Sequence, residues 1–334
     1  MSTVLVSAGV MPESDPLLAL MPLPYRAEFY PYGFAASVVS NSAMVLEAAR
    51  ESWAGLPKRF VAPPLDLRCV VTHGAAADCP PPPVVRTQRN LIVFVADREN
   101  YWCCDLATGL GSAWVTERVA ANTRYLRYHV LEAMVYCLLE SLHVVALHAA
   151  CVALDGRGVL LAGDSGAGKS SLAYACARRG WTYTTDDASS LVRRGRTRTV
   201  LGDPRLFRFR ANAGALFPEF QGMEESPHAH GKPTIEVRTD SLPAIRTAVE
   251  SRVDAIVFLN RRDGRDGLAE LIPVPEDDAM KRLSGSPWPV DLPTEGERTA
   301  VLKRLAGARA YEMRYRDLDA AADKLERIAR GDRI

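Results

Sequence analysis

Apolar positions along this chain recur at two spacings, and the spacing changes partway. After Pro31 and Gly33, the short apolar run 35–39 (AASVV) predicts a strand. Residues 44–53 predict a helix closed by Gly55 and Pro57. Residues 61–85 are rich in proline and include Pro80 to Pro83 in succession, which reads as a stiff extended segment or an exposed loop. The run 90–96 (NLIVFVA) then predicts a buried strand, and 101–105 another. Residues 1–24 are rich in Pro and Leu without a clean period, a loose arm or a first edge strand. Together these segments predict a small mixed α+β domain over residues 1–121. Its expected role is to position a substrate or build an oligomer. Trp102, Trp114 and the tyrosines read as packing residues.

From residue 122 the pattern alternates between helix and strand. Leu126, Val130, Ala133, Met134, Cys137 and Leu138 fall at helical spacing and predict a helix that opens a second domain, 122–334. The apolar runs 144–154 and 159–162 flank Asp155-Gly156, a strong hairpin turn signal. A helix is predicted over 171–179, stopped by Gly180. The stretch 181–185 is rich in β-formers and ends at Asp186-Asp187. Further strands are predicted within 252–260 and at 310–314, and helices at 298–305 and 318–328. Alternating strands and helices predict an α/β fold for this domain.

The chain has 334 residues, 48% hydrophobic and 24% charged, so it can bury a sizeable core. A formal net charge of +1 gives no global field that points to nucleic acid or a membrane surface. The seven cysteines are odd in number, scattered and without a C-x-x-C pair, which fits buried free thiols in a reducing compartment. No basic residue precedes Arg26, and no uncharged apolar run is long enough to span a bilayer. The expected location is the cytoplasm.

One stretch carries chemistry. Gly163-Asp164-Ser165-Gly166-Ala167-Gly168-Lys169-Ser170 fits G-x-x-x-x-G-K-[ST]. An apolar strand leads into it and a helix follows, with Ser171 in its first turn. The glycines allow a sharp turn with N–H groups pointing inward, and the helix N-terminus adds positive partial charge. Lys169 would reach the outer phosphates of a nucleotide, and the Ser170 hydroxyl would hold Mg2+.

Asp186 and Asp187 end the strand that returns from this helix. An acid there can ligate magnesium, and a second can take a proton from an attacking hydroxyl. Neighbours on a regular strand point to opposite faces, so a regular strand would give only one of them to the phosphates. A solvated turn pair is the alternative. His148 lies inside the apolar strand 144–150, and pairing across the Asp155-Gly156 hairpin could carry it toward the loop. Arginines 193, 194, 196, 198, 205, 208 and 210 could dock an acidic peptide or nucleotide phosphates, or line a solvated strand face. His228 and His230 lack a third ligand at metal-binding spacing.

The run from His148 through Asp187 resembles the catalytic domain of the HPr kinase/phosphorylase family, and more closely the HPr-kinase-related proteins of bacterial biosynthetic clusters. The shared features are the histidine opening the hairpin, the loop of form G-D-S-G-x-G-K-S and the Asp-Asp pair. Weaker similarity continues through Pro204-Arg205-Leu206, Lys232, the strand at 256–259 and the last strand and helix. Residues 1–120 have no counterpart in HPr kinases.

The resemblance implies a P-loop kinase domain of the phosphoenolpyruvate-carboxykinase-like type. It implies use of ATP and Mg2+, and transfer of the γ-phosphoryl group to a hydroxyl, in the family a serine on a small protein or peptide. Carried over by position, Gly163 to Ser170 bind phosphate and Ser170 binds the metal. Asp186 would be the base, Asp187 would assist or ligate the metal, and His148 would orient the site. Lys232 would supply a late cation. HPr kinases carry an acidic E-[IL]-R-G element after the aspartate pair that helps hold metal; this chain has Pro204-Arg205-Leu206-Phe207-Arg208-Phe209-Arg210 there, with Asp203 the one acid nearby, and Ser171 where they usually have glutamate. These departures leave HPr as acceptor, and a reverse phosphorylase reaction, open. A small-molecule kinase on the same fold, and a nucleotide-binding regulatory protein without transfer activity, are the alternatives.

Overall fold

The computed structural model of the chain describes residues 15, 18–74, 78–210, 213–223, 226–227, 233–261, 268–285 and 295–332. It is a mixed α/β protein with parallel and antiparallel sheets. The chain divides into two compact units, Met1–Leu138 and Leu139–Ile334.

The first unit is built on β1 (Tyr25–Phe29), β2 (Ala36–Ser40), β3 (Leu65–Thr72), β4 (Val84–Gln88), β5 (Leu91–Val95), β6 (Tyr101–Asp105) and β7 (Leu110–Thr116). Its sheet runs β1-β2-β3-β7-β6-β5-β4. The pairs β2–β3 and β3–β7 are parallel, the others antiparallel. Helix α1 (Ala43–Trp53) makes the crossover from β2 to β3. One expectation is corrected here: the proline-rich segment 61–85 is neither a stiff spacer nor a loop throughout. Leu65, Leu67 and Cys69 alternate into the core of β3, between β2 and β7. Pro63 and Pro64 stop short of the strand, and Pro80 to Pro83 lie between β3 and β4, so no proline interrupts a ladder. Trp102 is fully buried, and Trp114 stacks on Tyr101 at 5.2 Å.

Helix α2 (Glu117–Ala121) follows β7. A continuous helical run comes next: α3 (Thr123–Tyr125), a π-helical stretch Leu126–Glu132 and α4 (Ala133–Leu142). Of its six periodic residues Leu126, Val130, Met134 and Leu138 are buried, and Ala133 and Cys137 only partly so. The division between the compact units falls inside this run, at Leu138 and Leu139, rather than ahead of it.

The second unit contains β8 (Val144–Leu154), β9 (Arg157–Ala162), α5 (Lys169–Arg178), β10 (Thr182–Thr185), β11 (Ala188–Val192), β12 (Thr199–Leu201), β13 (Leu206–Arg210), the short helix α6 (Ala213–Leu216), β14 (Ser226–Pro227), β15 (Pro233–Arg238), β16 (Arg246–Thr247), β17 (Glu250–Asn260), β18 (Ala269–Pro273), α7 (Glu276–Ser284), α8 (Glu295–Ala306), β19 (Arg309–Tyr315) and α9 (Leu318–Arg330). The β8–β9 hairpin turns on Asp155 (φ 49) and Gly156 (φ 78), with Leu154 paired to Arg157. Positive φ at both turn residues matches the twist of the flanking strands.

Strands β9, β17 and β19 run parallel at the centre of the main sheet. Their side chains alternate between two cores. Leu161, Val257, Leu259, Met313 and Tyr315 pack against Leu172, Ala173 and Cys176 of α5 and Leu325 and Ile328 of α9. Leu160, Ile256, Phe258 and Ala310 pack against Leu283 of α7 and Val301, Leu302 and Leu305 of α8. Period-two alternation thus places helices on both faces of a central parallel core. A separate small sheet, β13-β15-β14, contributes Phe207, Phe209, Ile235 and Val237 to the first core. All three parallel strands end toward the same edge, and the glycine loop begins where β9 stops.

Lys232, His228 and His230 lie outside the described residues. Of the seven cysteines, Cys69, Cys104, Cys151 and Cys176 are buried, while Cys79, Cys103 and Cys137 are only partly so; all are free thiols.

Candidate phosphate-binding site

The loop from Gly163 to Gly168 joins the end of β9 to the start of α5. Its three glycines carry the positive φ angles that L side chains rarely adopt: 155° at Gly163, 93° at Gly166 and 97° at Gly168. Gly168 is the tightest point. A Cβ there would sit 2.4 Å from the Tyr315 hydroxyl, which donates to the Ala167 carbonyl at 2.7 Å. Tyr315 is fully buried at the end of β19, so this bond ties the loop to the parallel strand on the far side of β17. No side chain caps the N-terminus of α5. The first-turn N–H groups of a helix have no partner within the helix, and together with its dipole they favour an anion.

Lys169 opens α5 and is buried. Its Nζ donates to the carbonyls of Gly163 (2.7 Å) and Asp164 (3.3 Å), folding the ammonium back over the loop. Burial pulls its pKa below the usual lysine value, and the charge of Arg210 adds to this; Asp187, Asp164 and Asp186 pull the other way. Both aspartates of the pair therefore act on this ammonium.

That outcome depends on a bend. Strands β10 and β11 both run antiparallel to β8, Thr185 opposite Cys151 and Ala188 opposite His148. Asp186 and Asp187 form the break between them, and a register shift occurs between Tyr183 and Thr185. The regular strand that would have sent the two carboxylates to opposite faces is absent at this point. The break gives the residues different surroundings. Asp186 is buried; its carboxylate accepts from the Tyr183 hydroxyl (3.1 Å) and the Arg208 backbone N–H (2.8 Å), and the Ser170 hydroxyl lies close enough to favour its charge. Burial, and then the charge of Asp187, push its pKa up to about 6, against the pull of Arg208 and Ser170. Asp187 is 44% exposed and 2.9 Å from His148 Nδ1. Burial works against ionisation at Asp187 as well, but the hydrogen bond and charge of His148, with Arg208 and Lys169, hold it below the usual carboxylate value.

Two further residues meet at the loop: Arg210, which the sequence offers only as one of seven arginines, and Tyr315, which it does not mark. Arg210, at the end of β13, donates from Nη2 to Ser165 Oγ at 2.7 Å. A Cβ on Gly166 would lie 3.3 Å from its Nη1, so the guanidinium rests on the bare backbone of the loop. Tyr315 buttresses the loop from below. The arginine stretch as a whole does not form one face. Arg193 is buried, donating to the carbonyls of Val144 and Glu140, Arg205 pairs with Asp203, and Arg208 with Glu236.

Ser170, Asp186 and Asp187 gather three oxygen-bearing side chains beside the loop. Among the described residues no group of three or more His, Cys, Asp or Glu could hold a metal ion unaided. An oxygen-only set of two carboxylates and a hydroxyl suits magnesium, which keeps several waters and takes further ligands from substrate phosphates. The residues present therefore fit a phosphate-bound magnesium ion rather than a dedicated protein cage. No helix among the described residues is long and apolar enough to cross a membrane.

No family model matches the chain, and no curated protein matches it. Among solved structures, it is similar to one described as the Hpr(Ser) kinase/phosphatase from Coxiella burnetii, at 14% identity and a TM-score of 0.30, over 55% of this chain and 90% of that one.

Proposed function

We propose that this chain is an ATP- and Mg2+-dependent kinase that transfers the γ-phosphoryl group to a hydroxyl, a serine of a peptide or small protein. The observation that carries the reading is the bend at Asp186-Asp187, which turns two unlike carboxylates toward Ser170 and Lys169 of one glycine loop. A binding-only loop needs no second, solvent-facing acid held by a histidine.

ATP with Mg2+, when bound, supplies the transferable phosphoryl group and screens its charge. The loop amides and the α5 N-terminus receive the phosphates. Lys169 exchanges its contacts with the Gly163 and Asp164 carbonyls for phosphate oxygens. Ser170, with Asp186 behind it, would hold the metal. We assign the base to Asp187 rather than to Asp186, where the family resemblance puts it. Asp186 is enclosed and already accepts two hydrogen bonds, from Tyr183 and Arg208; Asp187 is half-exposed and oriented by His148. Geometry ranks ahead of pKa in choosing a base. Asp187 then takes the proton as the acceptor O–H bond breaks and the new O–P bond forms, and ADP departs. Residues 1–121 are proposed to position the acceptor.

The test is incubation of the full chain with ATP, Mg2+ and a pool of serine-containing peptides, read by mass spectrometry. A phosphoryl mass gain on peptide hydroxyls, lost in Asp187→Asn, supports the assignment. Nucleotide binding without transfer to any peptide or small hydroxylated acceptor would favour a regulatory protein instead.

A further inference from the structure

We infer that Arg210 is a second cation of this site, contributed in cis, that contacts the outermost phosphate of the nucleotide. The inference rests on the nucleotide-binding reading above. Four observations place the residue. It ends β13, and through its side chain alone it reaches a loop 45 residues earlier, at Ser165. It lies against Gly166, where any side chain would crowd it. It is close enough to Lys169 to depress that ammonium, so the two cations share one volume. Among the described residues no carboxylate pairs with it, whereas Arg205 and Arg208 of the same stretch pair with Asp203 and Glu236.

Holding two cations together is unfavourable unless anions compensate them; Asp187, Asp164 and Asp186 do so for Lys169, and no described carboxylate pairs with Arg210. The Ser165 hydroxyl is a neutral acceptor and a weak partner for a guanidinium, whose fork suits phosphate oxygens. Arg210 is also exposed, so it can leave Ser165 without unpacking a core. Phe207 and Phe209 alternate with it into the hydrophobic core and fix the strand beneath it. The arrangement is a rigid strand carrying one swinging cation to the loop lip. An arginine so placed on a transferring phosphoryl group is worth about 10³–10⁵-fold in rate where its removal has been measured.

The outermost phosphate separates ATP from ADP, and the test uses that difference. Calorimetric titrations with Mg2+ and either the β,γ-imido analogue of ATP or ADP are compared for the native full chain, Arg210→Met and Arg210→Lys, with thermal melts to confirm folding. The expected result is about a 10-fold or greater loss of affinity for the ATP analogue in Arg210→Met, little change for ADP and partial recovery in Arg210→Lys, on the scale of one charge-assisted contact. Equal losses for both nucleotides, or none for either, would overturn the role of Arg210 while leaving the nucleotide site intact. A native chain that binds neither nucleotide would overturn the nucleotide-binding reading itself, and Arg210 with it.

Discussion

Each unit of this protein contains a parallel strand that turns into a helix, and the two turns are finished in opposite ways. In the first unit β2 passes through Ser40, Asn41 and Ser42 into α1. Asn41 fills that turn: its side chain donates to the Val71 carbonyl and accepts from the Val71 N–H, both at 2.8 Å, and the Ser42 N–H goes to Ser40 Oγ. Asn41 thereby ties this turn to β3, while α1 itself begins without a capping side chain. In the second unit β9 passes through Gly163 to Gly168 into α5, likewise with no capping side chain. Besides Lys169 and the bond from the Ala167 N–H to the Asp164 carbonyl, this turn is held from outside by the Tyr315 hydroxyl and the Arg210 guanidinium. A strand–turn–helix is a structural joint when a side chain of the turn bonds the backbone of the neighbouring strand. It becomes an anion site when glycines leave the amides available and distant residues hold the shape.

Substitutions can break this contrast. The largest effect is expected at Lys169. Lys169→Ala removes the loop's ammonium but neither its glycines nor Tyr315, so nucleotide turnover should fall by about 10²–10³-fold, in line with loss of a preorganised charge at a transferring group. A melting temperature close to that of the native chain would show that the joint survives. Next come the aspartates. Asp187→Asn should lower transfer by about 10²-fold or more with nucleotide still bound, as for loss of a general base. Asp186→Asn should instead raise the magnesium requirement. Exchanged phenotypes would return the base to Asp186.

Gly168→Ala sharpens the comparison from the other side. Its Cβ would meet the Tyr315 hydroxyl, so either the loop or β19 must shift, and nucleotide affinity should drop. Asn41→Ala should do the reverse. It strips two hydrogen bonds from the Val71 backbone and should cost about 1–3 kcal/mol of stability, leaving nucleotide affinity untouched. Chemical denaturation and calorimetry on both variants give the double dissociation.

How far the sequence reveals these two turns follows from where their determinants lie. Gly163 to Ser170 declare themselves because backbone conformation is a local property, and glycine is the residue that permits it. The β8–β9 hairpin is legible at Asp155-Gly156 for the same reason. The end of α5 at Gly180 is another such case: the Gly180 N–H bonds the Ala177 carbonyl, and the Trp181 N–H bonds that of Cys176. Strand β3 is hidden by its setting, since prolines on both sides mask an alternation that the strand itself keeps. Tyr315 carries no local signal, and nothing local singles out Arg210 from the other arginines of its stretch. They reach the loop from 148 and 45 residues away, Tyr315 through the order of the main sheet and Arg210 from the end of a separate small sheet. The bend at Asp186-Asp187 is likewise a matter of register against β8, which a period-two reading of 181–185 does not contain. Asn41, an unremarked residue between a strand and a helix, takes its role from Val71 in the neighbouring strand.

The smallest predicted effect is a pH dependence in the second unit, away from the loop. Glu140 is buried 3.8 Å from Arg298, and one of its oxygens has no hydrogen-bond partner among the described residues. Burial, only partly offset by Arg298 and Arg193, pushes its pKa from 4.5 to about 7. The folded chain thus keeps a proton there that the unfolded chain has released, and this group's contribution to stability falls as pH rises from about 5 to about 7. His143, whose pKa burial lowers, acts in the opposite sense, so the difference between variants is the useful measure. Glu140→Gln should gain stability relative to the native chain across that interval and hold the gain above it. Urea midpoints at pH 5, 6, 7 and 8 would show this; a difference that does not vary with pH would contradict it.

The most direct measurement is a calorimetric titration of the full-length native chain with ATP and Mg2+, beside the same titration of Lys169→Ala. The account predicts saturable binding at one site per chain that Lys169→Ala abolishes or weakens by at least about 10-fold, a loss of about 1.4 kcal/mol or more. A native chain that binds no nucleotide, or a Lys169→Ala chain that binds it equally well, would contradict the assignment of Gly163 to Ser170 as the phosphate site.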